Sequence, residues 1–229
     1  MATSDAQLDN LMWHSLTSKH AHYAIGGDLA RRYPPDIGPF TSVVANEQAA
    51  FDALAGLVSS GEVVDITGWH PPLGEAWALR HQVMLVQLVY DGSTIEREQT
   101  DSLITPLTTA DIPAMLALVE LTHPGPFRQR TIELGPYLGI WQDEQLVAMA
   151  GLRFHVPGYR EISAVCTHPD YQRRGYARML VKQLIADIQS AGEVPCLHVA
   201  HANTGAYTLY ESLGFKQRTE FPLYILQRQ

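Results

Sequence analysis

The stretch from Glu161 to Ala177 holds the densest set of residues able to do chemistry. It reads as a strand, a turn, and then Gln172-Arg173-Arg174-Gly175-Tyr176-Ala177 opening a helix. Small residues at Gly175 and Ala177 keep bulk off the backbone. Successive N–H groups then point at one anion, and the helix dipole adds partial positive charge. A pyrophosphate fits such a nest, and Arg173, Arg174 and Arg178 suit phosphate oxygens. The turn lacks the Gly-Lys-Ser/Thr of a Walker loop, and its single glycine does not make the dinucleotide fingerprint. The competing reading of these residues alone is an ordinary solvated helix cap.

A second motif lies downstream: Asn203-x-x-Ala206-x-x-Leu209-Tyr210-Glu211-x-x-Gly214-Phe215. Paired with Gln172-x-x-Gly175-x-Ala177 after the strand end Val165-Cys166-Thr167-His168-Pro169, it resembles the GNAT superfamily of coenzyme A-dependent N-acetyltransferases over about residues 103–229. The layout, a diverged first half before an intact acyltransferase half, is also similar to the glycine N-acyltransferase-like branch. One departure is Ala177, where many members carry glycine. The resemblance implies acetyl-CoA as donor and no metal. Val165, Cys166 and Thr167 would offer backbone groups to the pantetheine arm. Gln172, Arg173, Arg174, Gly175, Tyr176 and Ala177, with Arg178 beyond, would hold the pyrophosphate. Asn203 would touch the cofactor where strand gives way to helix, and Tyr210 would protonate the leaving thiolate.

Elementary chemistry asks for the same parts. Amine attack on a thioester needs a neutral amine, a polarised carbonyl and a proton for the sulfur. Backbone amides at a strand irregularity can polarise the carbonyl, and a tyrosine within reach can supply the proton. Tyr207, one turn earlier on the same helix, competes with Tyr210 for that role. For the base, Glu161 opens a strand on which Glu161, Ser163, Val165 and Thr167 alternate onto one face; a solvated strand-end glutamate beside Arg160 is the other reading. His155 and His168 are alternatives.

Other reactive side chains take plainer readings. Cys166 and Cys196 read as small buried hydrophobes, since no histidine–carboxylate pair stands beside either in sequence. A zinc site from Cys166, Cys196, His198 and His201 is disfavoured because His198-x-x-His201 runs off a strand and no closely spaced cysteine pair exists.

Stepwise punctuation sets the elements that must position these groups. In the second half, Thr108 and Asp111 approximate a capping box before the apolar stripe Ile112, Met115, Leu116 and Val119. Strands are expected at Tyr137–Trp141, Leu146–Phe154 and Arg160–Thr167. Ala177, Leu180, Val181, Leu184, Ile185 and Ile188 mark the clearest helix, closed by Gly192. A short strand Pro195–Ala200, a helix Thr204–Leu213 and two closing strands around Pro222 complete an α/β fold. Its sheet is antiparallel at first, then has a parallel strand–helix–strand crossover. In the first half, double glycines and prolines leave only a helix near Asn46–Ser59 and strands at Glu62–Ile66 and Ala78–Tyr90. The polar segment Asp91–Ser102 is taken as a boundary between a diverged α/β domain, 1–100, and the acetyltransferase domain, 101–229.

Composition narrows the class. The 229 residues are 46 % hydrophobic and 17 % charged, enough for a proper core. The net charge of −8 argues against general nucleic-acid binding. Residues 1–100 carry 5 basic and 12 acidic side chains, whereas residues 101–229 carry 11 and 12, so the excess acid sits in the first half. Two cysteines give no disulfide framework, and neither a signal peptide nor a bilayer-length apolar run is evident, so a cytoplasmic enzyme without membrane partners is expected. Its partner would be a small-molecule or peptide amine. A coenzyme A-binding sensor that has lost catalysis is the alternative from another class.

Overall fold

The computed structural model describes residues 5–94 and 103–229. It contains the helices α1 (Leu11–Leu16), α2 (Gln48–Ala55), α3 (Ile112–Thr122), α4 (Tyr176–Ser190) and α5 (Thr204–Ser212). Its strands are β1 (Ile25–Gly26), β2 (Ala30–Arg32), β3 (Thr41–Val43), β4 (Val63–Thr67), β5 (Trp77–Tyr90), β6 (Ile104–Leu107), β7 (Tyr137–Gln142), β8 (Gln145–Val156), β9 (Tyr159–Thr167), β10 (Val194–Ala200) and β11 (Phe215–Arg228). Among the described residues, no helix is long and apolar enough to cross a membrane.

One sheet of eight strands runs in the order β4-β11-β5-β10-β9-β8-β7-β6, and β1-β2-β3 form a small second sheet. Among the named strands of the described residues the β9–β10 pairing is parallel and the other pairings are antiparallel. The expected division at residue 100 is corrected here. Residues 95–102 lie outside the described residues, but the strands before and after them share this sheet, with β5 seated between β10 and β11. Ala78–Tyr90 is readable as a strand, but nothing in local sequence says which neighbours it will take.

A second correction concerns the end of the chain. Phe215–Arg228 is one 14-residue strand, not two. Pro222 survives inside it because its carbonyl accepts from Gly68 N at 3.1 Å, so its donor-less nitrogen faces the same side, just beyond the last residue of β4.

Strand alternation sorts the core. Leu138, Ile140, Ala148, Ala150 and Leu197 point to one face and pack with Leu180, Leu184 and Ile188 of α4. Tyr137 and Met149 point the other way, against Met115 and Leu118 of α3. Cys196 joins that second face, where Leu8, Leu11 and Met12 around α1 and Tyr33 to Phe40 cover the sheet.

Candidate active site

The parallel pair β9–β10 opens the site. Its register runs from Tyr159↔Val194 to Ile162↔Leu197 and stops there. Beyond that point β9 follows β8 to Thr167, while β10 follows β5 to Ala200. The cause lies in β9: the register against β8 shifts between Met149↔Cys166 and Gly151↔Ser163, and Ala164 adopts φ 52°. A bulge of this kind bends its strand away from a neighbour. Between the diverging strands lies a cavity of about 610 Å³, lined on this side by Ser163, Val165, Cys166 and Thr167 and across the gap by His198 and Asn203. Main-chain groups of residues 163–167 that would have met β10 lack that partner, so an extended ligand can pair with them as an added strand.

The bulge also overturns one expectation. Glu161, Ser163, Val165 and Thr167 do not share a face. Val165 packs with Ile162 on the α4 side, whereas Ala164 and Cys166 turn to the α3 side. One extra residue flips every side chain that follows it.

At the other end of the cleft, α4 begins in an anion nest. Arg173 (φ 60°) and Gly175 (φ 83°) are both left-handed, and Gly175 caps the helix without any side-chain hydrogen bond. The first amides of α4 are therefore left without a side-chain acceptor. A Cβ built on Gly175 would meet nothing within 4 Å, so the glycine is required by its φ and not by crowding. Around the nest, Arg178 donates from Nη2 to Ser212 Oγ at 2.6 Å, and the Arg174 guanidinium lies over the Tyr171 ring at 4.7 Å. Arg173 is exposed, Tyr176 and Ala177 are half-buried, and Gln172 lines the cavity. Asn203 does double work: its Oδ1 accepts from Ala206 N at 3.1 Å, capping α5, while the residue stands on the cavity wall.

Tyr210 and Tyr207 are separated by geometry. Tyr210 is 7 % exposed and lines the cavity; its hydroxyl has no hydrogen-bond partner among the described residues. Burial, with the Cys166 thiol nearby, pushes its phenol well above the usual value, so it stays protonated. Tyr207 donates to Gln217 Oε1 at 3.3 Å and is not on the cavity wall. Burial likewise raises the Cys166 thiol to about 11 and the Cys196 thiol well above its ordinary range, which leaves neither as a nucleophile.

Glu161 is not the exposed base that its strand position suggested. Its side chain is 0 % exposed and lies behind the cavity wall. Arg153 grips it in a fork, Nε to Oε2 and Nη2 to Oε1, both 2.8 Å, and Phe154 N adds a bond at 3.3 Å. Burial raises its carboxyl, but the Arg153 charge and hydrogen bonds, with those of His198, overcome that and hold it at about 2. A carboxylate held there accepts a proton poorly at neutral pH. The two alternatives are tied elsewhere. His155 bonds Glu193 at 2.7 Å and is hydrogen-bonded to Arg160; His168 accepts from Asp170 N at 3.2 Å, capping a short turn. Neither lines the cavity.

The residue that does face it is His198, which follows the last β9–β10 pair. Its Nδ1 meets Glu161 Oε1 at 2.6 Å, and its Nε2 meets Gln87 Nε2 at 3.0 Å. Arg218 donates to Gln87 Oε1 at 2.9 Å, so the Gln87 amide presents its N–H groups to Leu8 O and to the imidazole. His198 Nδ1 thereby carries a proton directed at Glu161, and its Nε2 is the acceptor toward Gln87. Sequence reasoning weighed His198 only as a metal ligand; its alternation with Cys196 on β10 was the available signal.

Known proteins resemble this chain in sequence and in fold. The profile of the FR47-like protein family matches residues 137–222. The [ribosomal protein bS18]-alanine N-acetyltransferase of Salmonella typhimurium is 33 % identical over 122 residues, 51 % of this chain and 82 % of that protein. The Escherichia coli K12 enzyme of the same name is 31 % identical over a similar span, 82 % of its length. A GNAT-family protein from Novosphingobium aromaticivorans superposes with TM-score 0.88 at 32 % identity, over 97 % of this chain and 98 % of its own. A GCN5-related N-acetyltransferase from Kribbella flavida, 13 % identical, shares the fold at TM-score 0.63 over 100 % of this chain and 96 % of its own.

Proposed function

The chain belongs to the GNAT superfamily of N-acetyltransferases, and from that premise we propose that it moves an acetyl group from acetyl-CoA to a primary amine by direct attack, both substrates being bound together. The observation that carries the reading is the Tyr210 hydroxyl: buried, protonated, without a partner among the described residues, and open to the cleft where β9 and β10 part. The donor's pantetheine would run along Ser163–Thr167, its pyrophosphate on the nest from Gln172 to Ala177 with Arg178 beside it, and Asn203 at the junction of strand and helix.

Within that frame each residue has a task. The bulged backbone around Ala164 polarises the thioester carbonyl through main-chain N–H groups. Tyr210 hands its proton to the sulfur as the carbon–sulfur bond breaks. His198 receives the amine proton at Nε2, with Gln87 giving way, and Glu161 acts through it, orienting the ring and stabilising the imidazolium. Glu161 is thus a positioning residue. The bacterial relatives are named for acetylating an alanine of ribosomal protein bS18, which supports an amine acceptor and a cytoplasmic setting for this chain as well.

Release of free thiol from acetyl-CoA across a panel of amines tests the proposal. Turnover with at least one amine class, lowered in Tyr210→Phe at unchanged coenzyme A affinity, is expected. Tight coenzyme A binding with no thiol release for any class would overturn it.

A further inference from the structure

The cavity extends beyond the reacting centre to a buried carboxylate that the acetyl transfer does not use. Register places it. Asp65 pairs with Ile225, Thr67 with Leu223, Leu223 with Val83, Leu85 with Ala200, and Gln87 with His198. Paired residues share a face, so Asp65 and His198 look into the same space. Between them on that face Val83, Leu85, Phe221, Leu223 and Ile225 are apolar and line the cavity, with Thr67 and Gln87 at the two ends of the stretch.

Asp65 is 5 % exposed. Its main chain is occupied, N donating to Pro39 O at 2.8 Å and O accepting from Thr41 Oγ1 at 2.7 Å, but its carboxylate has no hydrogen-bond partner among the described residues. A buried carboxylate left so costs several kcal/mol unless a ligand or water meets it. The other charges facing this space do not serve. Arg153 spends its fork on Glu161 and lies against the Phe40 and Phe154 rings, their centroids 5.2 and 4.7 Å from its Cζ. Asp9, at the rim, is paired with Arg218 at 2.6 Å. The Arg153–Glu161 pair is neutral as a unit, so Asp65 leaves one uncompensated negative charge beside the apolar stretch of the wall formed by Val83, Leu85, Leu223 and Ile225.

We propose, resting on the acetyl-transfer reading above, that Asp65 is an acceptor-recognition residue, and that the preferred acceptor is an aliphatic amine carrying a second cationic group separated by a hydrocarbon spacer. The reacting amine sits by His198 and Tyr210, the spacer lies along Val83, Leu85, Leu223 and Ile225, and the distal ammonium meets Asp65. The carboxylate gives a charged hydrogen bond that a monoamine of equal length cannot form.

The test measures binding and turnover separately, with α,ω-diaminoalkanes of increasing length against the matching 1-aminoalkanes. Binding is read calorimetrically on the coenzyme A complex, which needs no chemistry. Wild-type protein should bind one diamine length about tenfold or more tighter than its monoamine, and Asp65→Asn should erase that difference. Asp65→Ala serves as a second variant, and both are checked for coenzyme A binding to show the fold is kept. Equal binding of diamine and monoamine, or a preference that survives both substitutions, overturns the proposal. An ω-amino acid that binds better than the diamine also overturns it, since Arg153 and not Asp65 would then select the end group. Failure of thiol release with intact, Asp65-dependent diamine binding would sink the acetyl-transfer reading and leave this subsite standing.

Discussion

Replacing Asp65 by asparagine should make the folded protein more stable, and only above acid pH. Burial raises the Asp65 carboxyl from its ordinary 3.8 to about 6, with Arg153 and Arg128 limiting the rise. A group whose folded value lies above its unfolded one favours the fold while protonated. That advantage is complete below the unfolded value and is lost as pH rises through the folded one. At neutral pH and above, the wild-type chain therefore carries the full cost of an ionised buried carboxylate, ~3 kcal/mol at ~1.4 kcal/mol for each pH unit. Asparagine removes the charge but leaves a buried amide in its place, so the net gain is roughly 1–3 kcal/mol. For a chain of this size that is about 2–10 °C in Tm. Calorimetric melting of both proteins at about pH 8 and about pH 4 gives the comparison. Asp65→Asn should melt higher at the first pH and alike at the second. A shift of the same size at both, or a loss of stability at the higher pH, refutes the reasoning that the carboxylate is buried, ionised and unmet. A residue retained at a cost to stability is what a binding site would show.

Three further outcomes follow from the geometry. Tyr210→Phe should lower kcat at least about tenfold with coenzyme A affinity unchanged, because the lost proton matters only as the thiolate departs; steady-state kinetics with calorimetry separates the two, and an unchanged kcat removes Tyr210 from the chemistry. Gly175→Val forces a β-branched residue to a φ of 83° and should weaken coenzyme A binding far more than Arg173→Ala, whose side chain is exposed and replaceable by solvent; equal losses would place the grip in side-chain charge. Glu161→Gln should cost about 3–5 kcal/mol in denaturant unfolding near neutral pH by stranding Arg153, and it should lower turnover through His198. An unchanged unfolding midpoint would show the fork to be idle.

The proposed cleft is legible in the sequence where its geometry is local. Gln172 to Ala177, Asn203 and Tyr210 are fixed by a turn, a helix start and helical spacing, all short-range properties. Glu161 misled because its burial and its partners come from Arg153 on one neighbouring strand and His198 on the other, at separations of 8 and 37 residues. The single extra residue at Ala164 was invisible too, since nothing in Ser163-Ala164-Val165 announces a left-handed alanine. Asp65 did leave a trace, a lone carboxylate inside Val63-Val64-Asp65-Ile66, but the trace carries no direction without register. The first half resisted reading because its short strands and turns are held by contacts to the second half, such as Tyr33 against Phe154.

The place of β5 bears on how the molecule comes to be made. As the chain leaves the ribosome, this strand emerges well before either β10 or β11, the two that will flank it. Before they emerge it has both edges bare, which invites capture by a chaperone or by another nascent copy. Completion of the sheet thus awaits synthesis of β11, and a fragment beginning at residue 103 would lack a middle strand altogether. The half that bears the reactive groups cannot close around them without the half that precedes it.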